Sequence, residues 1–192
     1  MFESLSLFPY IAVMDSEISE QDLDALLAVK NYQRSLGFFP NTRTSHVIDQ
    51  RTSYTWHDTT NKFNYIESTI LNTVKSHTGH NHRIECAEEL QLTRYQPGQF
   101  YDEHWDHFSH PDFPKIENDR IATVILYLND NFTGGDTVFT RLGITVTPRR
   151  GKICYFWYPY NSDTTFLAHT GTPVEQGEKF IAQIWIRPKP WQ

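Results

Sequence analysis

His104 and Asp106 sit two residues apart inside "YQPGQFYDEHWDHF" (Tyr95–Phe108), an aromatic stretch that otherwise reads as a strand. In an extended strand, side chains i and i+2 share a face, so these two project together while Trp105 points away. They are either solvated polar groups on a sheet edge or two thirds of a mononuclear metal site. Two imidazoles and one carboxylate on one side of an ion leave the opposite positions open. That arrangement suits an Fe(II) that must also receive substrate and oxygen. The third ligand is then expected to be a histidine from a distant strand. Of nine histidines, His169 in "FLAHTGTPV" is the best placed, because it follows an apolar run far along the strand-rich half.

Ten residues after His169, Lys179 opens the apolar run "KFIAQIWIR". Lys179, Ile181, Gln183 and Trp185 share one strand face and alternate with Phe180, Ala182, Ile184 and Ile186. A lysine turned inward here is costly without a partner, and it becomes sensible if it pairs with a substrate carboxylate beside the metal. A solvated strand-end lysine is the other reading, and these residues alone leave both open. His77, His80 and His82 in "KSHTGHNHR" are rival ligands by residue type, but their Gly/Asn-rich context predicts an exposed loop. His107 and His110 fall in the Pro-interrupted "HFSHPDFPKIEND", which is assigned to a pocket rim.

The elements that must hold these groups change character along the chain. "SEQDLDALLAVK" predicts a short helix, with Ser19 and Asp22 forming a capping-box-like start and Leu23, Leu26 and Leu27 at helical spacing. "NKFNYIESTILNTVKSHTG" predicts a second, with Phe63, Ile66, Ile70, Leu71 and Val74 as one apolar stripe. The Thr/Ser-rich segment between them reads as loop with one or two short strands. From about Glu89 onward, β-branched and aromatic runs are punctuated by Pro-Gly, Gly-Gly and Pro-Arg-Arg-Gly turns. Helices first and strands after predict an α+β fold whose second half is a sandwich or jelly roll.

The chain of 192 residues is long enough for one domain with a substantial core. Its net charge of −6 argues against duplex nucleic acid, which calls for a basic face. Cys86 and Cys154 lie in apolar surroundings and read as buried free thiols. The N-terminal "MFESLSLFPYIAVMD" has no basic n-region and is broken by Pro9 and Asp15, so it does not read as a signal peptide. No run approaches the length of a membrane span. A soluble, cytoplasmic protein without membrane contact is therefore expected.

The segments "RYQPGQFYDEHWDHF", "RIATVILYLND", "GGDTVF", "TPRRGKICYFW" and "HTGTPVEQGEKFIAQIWI" resemble, in order and spacing, the successive core motifs of the prolyl 4-hydroxylase family. "RTSYTWH" resembles the family's RTS segment. The resemblance covers about residues 89–187 and implies an Fe(II)- and 2-oxoglutarate-dependent dioxygenase with a double-stranded β-helix (jelly-roll) core. Residues 1–88 would be mainly helical support and substrate loop, residues 89–192 the core, and 1–192 a single domain. Carried over by position, His104, Asp106 and His169 would hold iron and Lys179 would bind the distal carboxylate of 2-oxoglutarate. Tyr95 and Tyr127 would line the cosubstrate pocket, and Tyr101, Arg120 and Trp185 would contact the substrate. The implied cofactors are Fe(II), 2-oxoglutarate and O2, with ascorbate a candidate reductant. The implied partner is a proline-containing peptide or protein.

This sequence departs from the family pattern at several points. Thr55 stands where the RTS segment usually has glycine, and Thr140 replaces a common proline after the GG(D/E)TVF motif. Thr170 and Thr172 alter the turn after His169, and Phe180 replaces a common tryptophan. None of these is an expected metal ligand. Loops 41–57 and 107–119 are expected to carry substrate choice. Two alternatives stay open: the same chemistry on a free amino acid, small molecule or other protein side chain, or a non-catalytic jelly-roll binding protein. A nucleobase-repair oxygenase is disfavoured, since Lys179 stands where those enzymes typically use arginine.

Overall fold

Apolar alternation along the central strands builds two cores on opposite faces of one sheet. The computed structural model describes residues 1–7, 9–39, 44–108, 116–158 and 164–191; the predicted rim residue His110 and parts of loops 41–57 and 107–119 lie outside them. The chain begins with β1 (Phe2–Leu7), β2 (Tyr10–Asp15), α1 (Glu20–Leu27), β3 (Gln33–Arg34), β4 (Gly37–Phe39), β5 (Thr44–His46), β6 (Tyr54–His57) and α2 (Asn64–Thr78). A 3-10 turn at Ile84–Cys86 leads to β7 (Gln91–Tyr95), β8 (Tyr101–His104), β9 (Ala122–Tyr127), β10 (Thr133–Gly134), β11 (Thr137–Phe139) and β12 (Ile144–Val146). β13 (Lys152–Trp157), a second 3-10 turn at Thr164–Leu167, β14 (His169–Gly171), β15 (Val174–Gln176) and β16 (Lys179–Ile186) complete it.

The major sheet has eight strands in the order β1-β2-β13-β9-β16-β7-β6-β3, and the minor sheet runs β12-β11-β14-β8. This is the expected α+β jelly roll. Along β16, Ala182, Ile184 and Ile186 join a core that includes Leu23 and Leu26 of α1 and Ile66, Ile70 and Val74 of α2. Ile181, on the other face, joins Tyr95, Tyr127, Phe139, Phe156 and Val174, which draw on both sheets. Strand parity therefore decides whether a β16 side chain supports the helices or faces the site.

Both helices start and stop for local reasons. Ser19 caps α1, its hydroxyl accepting from the Asp22 backbone N–H at 3.1 Å and donating to the Asp22 carboxylate at 2.7 Å. α2 lacks a side-chain cap at Phe63; instead the Asp58 carboxylate accepts the Phe63 N–H at 2.6 Å. Its C-terminus closes on Gly79, whose φ of 77° is one that a side chain would strain.

The N-terminal part differs from the expectation of mainly helical support. Six strands lie beside the two α-helices before residue 89, and β1, β2, β3 and β6 all extend the major sheet. Short strands such as β3 carry too few residues for an alternation signal, so only pairing reveals them. His80 and His82 also depart from an exposed loop. Both rings are half-buried against Tyr155, whose hydroxyl lies 2.8 Å from His80 Nδ1 and 2.9 Å from His82 Nε2. Burial pushes His82 down to about 4. His77 packs instead on Phe2. Cys86 and Cys154 are buried free thiols, as expected. Among the described residues, no helix is long and apolar enough to cross a membrane.

Candidate metal centre and adjoining cation pocket

β8 and β14 pair antiparallel with His104 opposite His169, their ring centroids 4.3 Å apart. β8 ends at His104 and the backbone bends at Asp106, so strand parity alone does not aim the carboxylate. The bend instead lays Asp106 beside both rings. One donor atom from each of His104, Asp106 and His169 lies within 4.8 Å of the others.

The donors are oriented by what holds their far sides. His104 Nδ1 lies 2.7 Å from the Asp102 carbonyl, and His169 Nδ1 lies 3.0 Å from the Leu167 carbonyl. A carbonyl only accepts, so each Nδ1 carries a hydrogen and each ring turns its Nε2 inward. Both Nε2 atoms lie 3.7 Å from the Asp106 carboxylate. Thr123 donates to Asp106 Oδ2 at 2.7 Å, and its hydroxyl lies 2.9 Å from that of Tyr158. Trp105 points elsewhere, its indole N–H donating to the Thr165 carbonyl at 3.3 Å.

Burial, helped by His169, pushes His104 down to about 3 and keeps it neutral. Burial alone would raise Asp106, but His169, His104, Arg120 and the Thr123 bond outweigh it and hold the carboxyl at about 2. Two imidazoles that carry a hydrogen on Nδ1 and an ionised carboxylate form a donor set that fits Fe(II). Phe139 and Phe156 wall the His169 side at ring distances of 5.6 and 4.9 Å.

Lys179 is 3% exposed at the start of β16. Its ammonium donates to the Gly135 carbonyl at 2.6 Å and lies 5.4 and 5.7 Å from the rings of Tyr95 and Tyr127. Among the described residues no carboxylate lies within ion-pairing distance. Burial pulls the amine down to about 8, against the weaker pull of Asp136 and Cys154. Tyr95 pairs with Lys179 across β7–β16, and Tyr127 donates to the Thr137 hydroxyl at 2.9 Å. The solvated strand-end reading of Lys179 is thus excluded by its burial.

The model of the 2OG-Fe(II) oxygenase superfamily matches residues 90–187. Prolyl 4-hydroxylase 2 of Arabidopsis thaliana is 31% identical over 210 residues, covering 96% of this chain and 69% of that one. The chain belongs to the prolyl 4-hydroxylase family of 2OG-Fe(II) oxygenases. Prolyl 4-hydroxylase subunit alpha-1 of Caenorhabditis elegans is 35% identical over 135 residues, 64% of this chain and 23% of that one. Several curated relatives are spanned for less than half their length. A viral collagen prolyl hydroxylase from Paramecium Bursaria Chlorella virus-1, solved as its 2OG complex, superposes with a TM-score of 0.69. It is 25% identical, over 92% of this chain and 95% of that one. Family membership implies Fe(II), 2-oxoglutarate and O2.

Within this prolyl 4-hydroxylase fold the three residues expected on the substrate side are unlike one another. Tyr101 stacks on His104 with centroids 3.5 Å apart and planes within 13°, and the Arg51 guanidinium lies 4.9 Å over its ring. Arg120 already has a partner. It donates twice to Glu88, at 2.7 and 2.6 Å, donates to the Asp106 carbonyl at 3.1 Å, and lies 4.0 Å over Trp185. Trp185 keeps a buried indole N–H with no partner among the described residues.

Sequence reasoning missed Thr123, Glu88 and Arg187. Thr123 is polar within the apolar run "RIATVILYL", the same signal that marked Lys179. Glu88 also accepts from Arg187 Nε at 2.8 Å, and no local pattern joins residues 99 apart. The departures from the family pattern fall on supports: Thr170 donates to the Tyr101 carbonyl at 2.7 Å, and the Thr172 hydroxyl accepts the Asp136 N–H at 2.8 Å.

Proposed function

We propose that this chain is an Fe(II)- and 2-oxoglutarate-dependent hydroxylase of prolyl residues in a peptide or protein, with residues 1–192 acting as one domain. The observation that carries this reading is the pairing of a His/Asp/His donor set with a separate, buried ammonium that meets a backbone carbonyl and, among the described residues, no carboxylate. When bound, Fe(II) with 2-oxoglutarate and O2 supplies oxidative decarboxylation to succinate and CO2, coupled to placing one oxygen on a substrate C–H bond.

The chain's own residues do the rest. His104 and His169 present Nε2, each fixed through an Nδ1 bond to a backbone carbonyl, and Asp106 presents a carboxylate held by Thr123. Lys179 receives the distal carboxylate of 2-oxoglutarate, with Tyr95 and Tyr127 shaping that pocket. Phe139 and Phe156 keep bulk water from the His169 side. Tyr101 and Trp185 offer aromatic surface to a prolyl ring. Arg120 serves as a positioning residue for Trp185 and the Asp106 backbone, because Glu88 already occupies its guanidinium. The two buried free thiols support a reducing, cytoplasmic setting, with ascorbate as reductant.

Protein loaded with Fe(II) should form succinate faster with a proline-containing peptide than with free proline, and the peptide should gain one oxygen by mass spectrometry. His104→Ala and Asp106→Ala should each lose all peptide-stimulated succinate. Turnover retained in either variant overturns the ligand assignment, and stimulation by free proline alone moves the substrate to a small molecule.

A further inference from the structure

Directly behind the lysine pocket, the neighbours of Lys179 and Tyr95 on the same two strands face the other way. Phe180 and Arg94 are paired across β16 and β7 and look toward the helix side. Together with the segment after α1 they line a recess of about 260 Å³. Leu27, Val29 and Phe180 supply its apolar wall, while Lys30, Tyr32 and Arg94 supply its donors.

Those donors lack acceptors. The Tyr32 hydroxyl and Arg94 Nε are both buried and have no hydrogen-bond partner among the described residues. Neither Lys30, Arg34 nor Arg94 has a carboxylate within ion-pairing distance among those residues. The Arg94 guanidinium lies 5.7 Å over Tyr32 and 5.5 Å over Tyr54, and Arg34 lies 6.0 Å over Tyr54. Glu178 is the one acid on the wall, and its carboxylate is engaged by Gln96 at 3.0 Å. Burial pushes the Tyr32 hydroxyl up to about 12, against the pull of Arg94, so it stays a donor at neutral pH.

We propose that this recess is a second small-molecule site, one that takes a compact organic carboxylate. The carboxylate accepts from Arg94 Nε and the Tyr32 hydroxyl once the side chains that cover these two atoms turn aside, and the carbon skeleton lies against Leu27, Val29 and Phe180. An acceptor bearing negative charge answers a guanidinium Nε and a phenol that no described residue answers. The volume lies below the roughly 300–1,000 Å³ of drug-sized sites, which limits the ligand to a fragment-sized anion. A major-sheet strand pair separates this recess from Lys179, so the two sites hold different anions independently.

Benzoate is the probe. The full chain is titrated with it while backbone amide NMR shifts are followed, with excess 2-oxoglutarate and Zn(II) occupying the principal site. Saturable shifts are expected at Lys30–Tyr32, Arg94 and Glu178. Tyr32→Phe should weaken benzoate roughly 5-fold or more, and Arg94→Gln roughly 10-fold or more, with benzamide at least about 10-fold weaker than benzoate. Tyr32→Phe removes only an oxygen, so it tests the site even if Arg94→Gln misfolds. Absence of saturable shifts means that water alone fills the recess and overturns the proposal. Shifts confined to the surroundings of Lys179, unchanged affinity in both variants, or a response to inorganic phosphate without one to benzoate also overturn it.

Discussion

Lys179, buried, and Arg120, largely buried, are cations that meet opposite ends of the site-facing side of β16, one at its first residue and the other against Trp185. Arg120 is met by a carboxylate of the fold, Glu88, which also binds Arg187. Burial pulls the Arg120 guanidinium down, but Glu88 and Asp106 more than restore it, and the group stays charged and satisfied. Among the described residues Lys179 has a single backbone carbonyl for its ammonium, and burial wins. A buried cation supplied with its own anion is framework, whereas one left without is a receptor for an anion from outside.

The largest effect on this comparison should come from removing the anion of the satisfied cation. Glu88→Ala leaves Arg120 and Arg187 without their carboxylate, and urea unfolding should show a loss of about 3–5 kcal/mol. A loss below about 1 kcal/mol would mean that the two arginines find water instead. Lys179→Met should do the reverse in the ligand-free protein. Its folded value of about 8 lies below the ordinary 10.5, so the stability tied to the neutral amine is fully present above 10.5 and is lost as pH falls through 8. Methionine removes that cost, and melting at pH 7 should show a gain of up to about 3 kcal/mol while 2-oxoglutarate binding weakens on the order of 100-fold. Lower stability together with unchanged binding would refute the receptor reading.

The smallest effect tests the same rule with the opposite charge. Glu67 of α2 is 5% exposed, and burial, with Asp58 and Glu89 adding to it, raises its carboxyl to about 7 despite a bond from the Leu90 N–H. Its stabilising contribution is complete below the ordinary 4.5 and is lost as pH rises through 7. Glu67→Gln should therefore gain on the order of 1–2 kcal/mol at pH 8 and nothing at pH 4, read by denaturant midpoints at the two pH values.

Much of the site was legible because a polar residue in an apolar strand is expensive, and the exceptions stand out. His104, His169 and Lys179 were visible that way, and the structure brings the two histidines together across one β-ladder and buries the lysine. Thr123 carried the same signal and went unread. The Glu88–Arg120–Arg187 cluster carried none, since its members lie in segments whose proximity depends on strand order. The family resemblance placed Arg120 among the substrate contacts, and only the folded chain reveals that its guanidinium is paired with Glu88.

Residue types and alternation thus determined the strand-rich half, both helices with the Ser19 cap, and the chemistry available at His104, Asp106, His169 and Lys179. These signals are local: a cap needs three residues, and a strand face needs every second one. Tertiary structure alone decided that Asp106 reaches the histidines through a bend after β8. It also decided that β1, β2, β3 and β6 extend the major sheet, and that, among the described residues, Arg120 meets a carboxylate while Lys179 and Arg94 do not. The reason is physical: charge partnership depends on distances of a few ångströms between residues far apart in the chain, and only the packed sheet sets those distances.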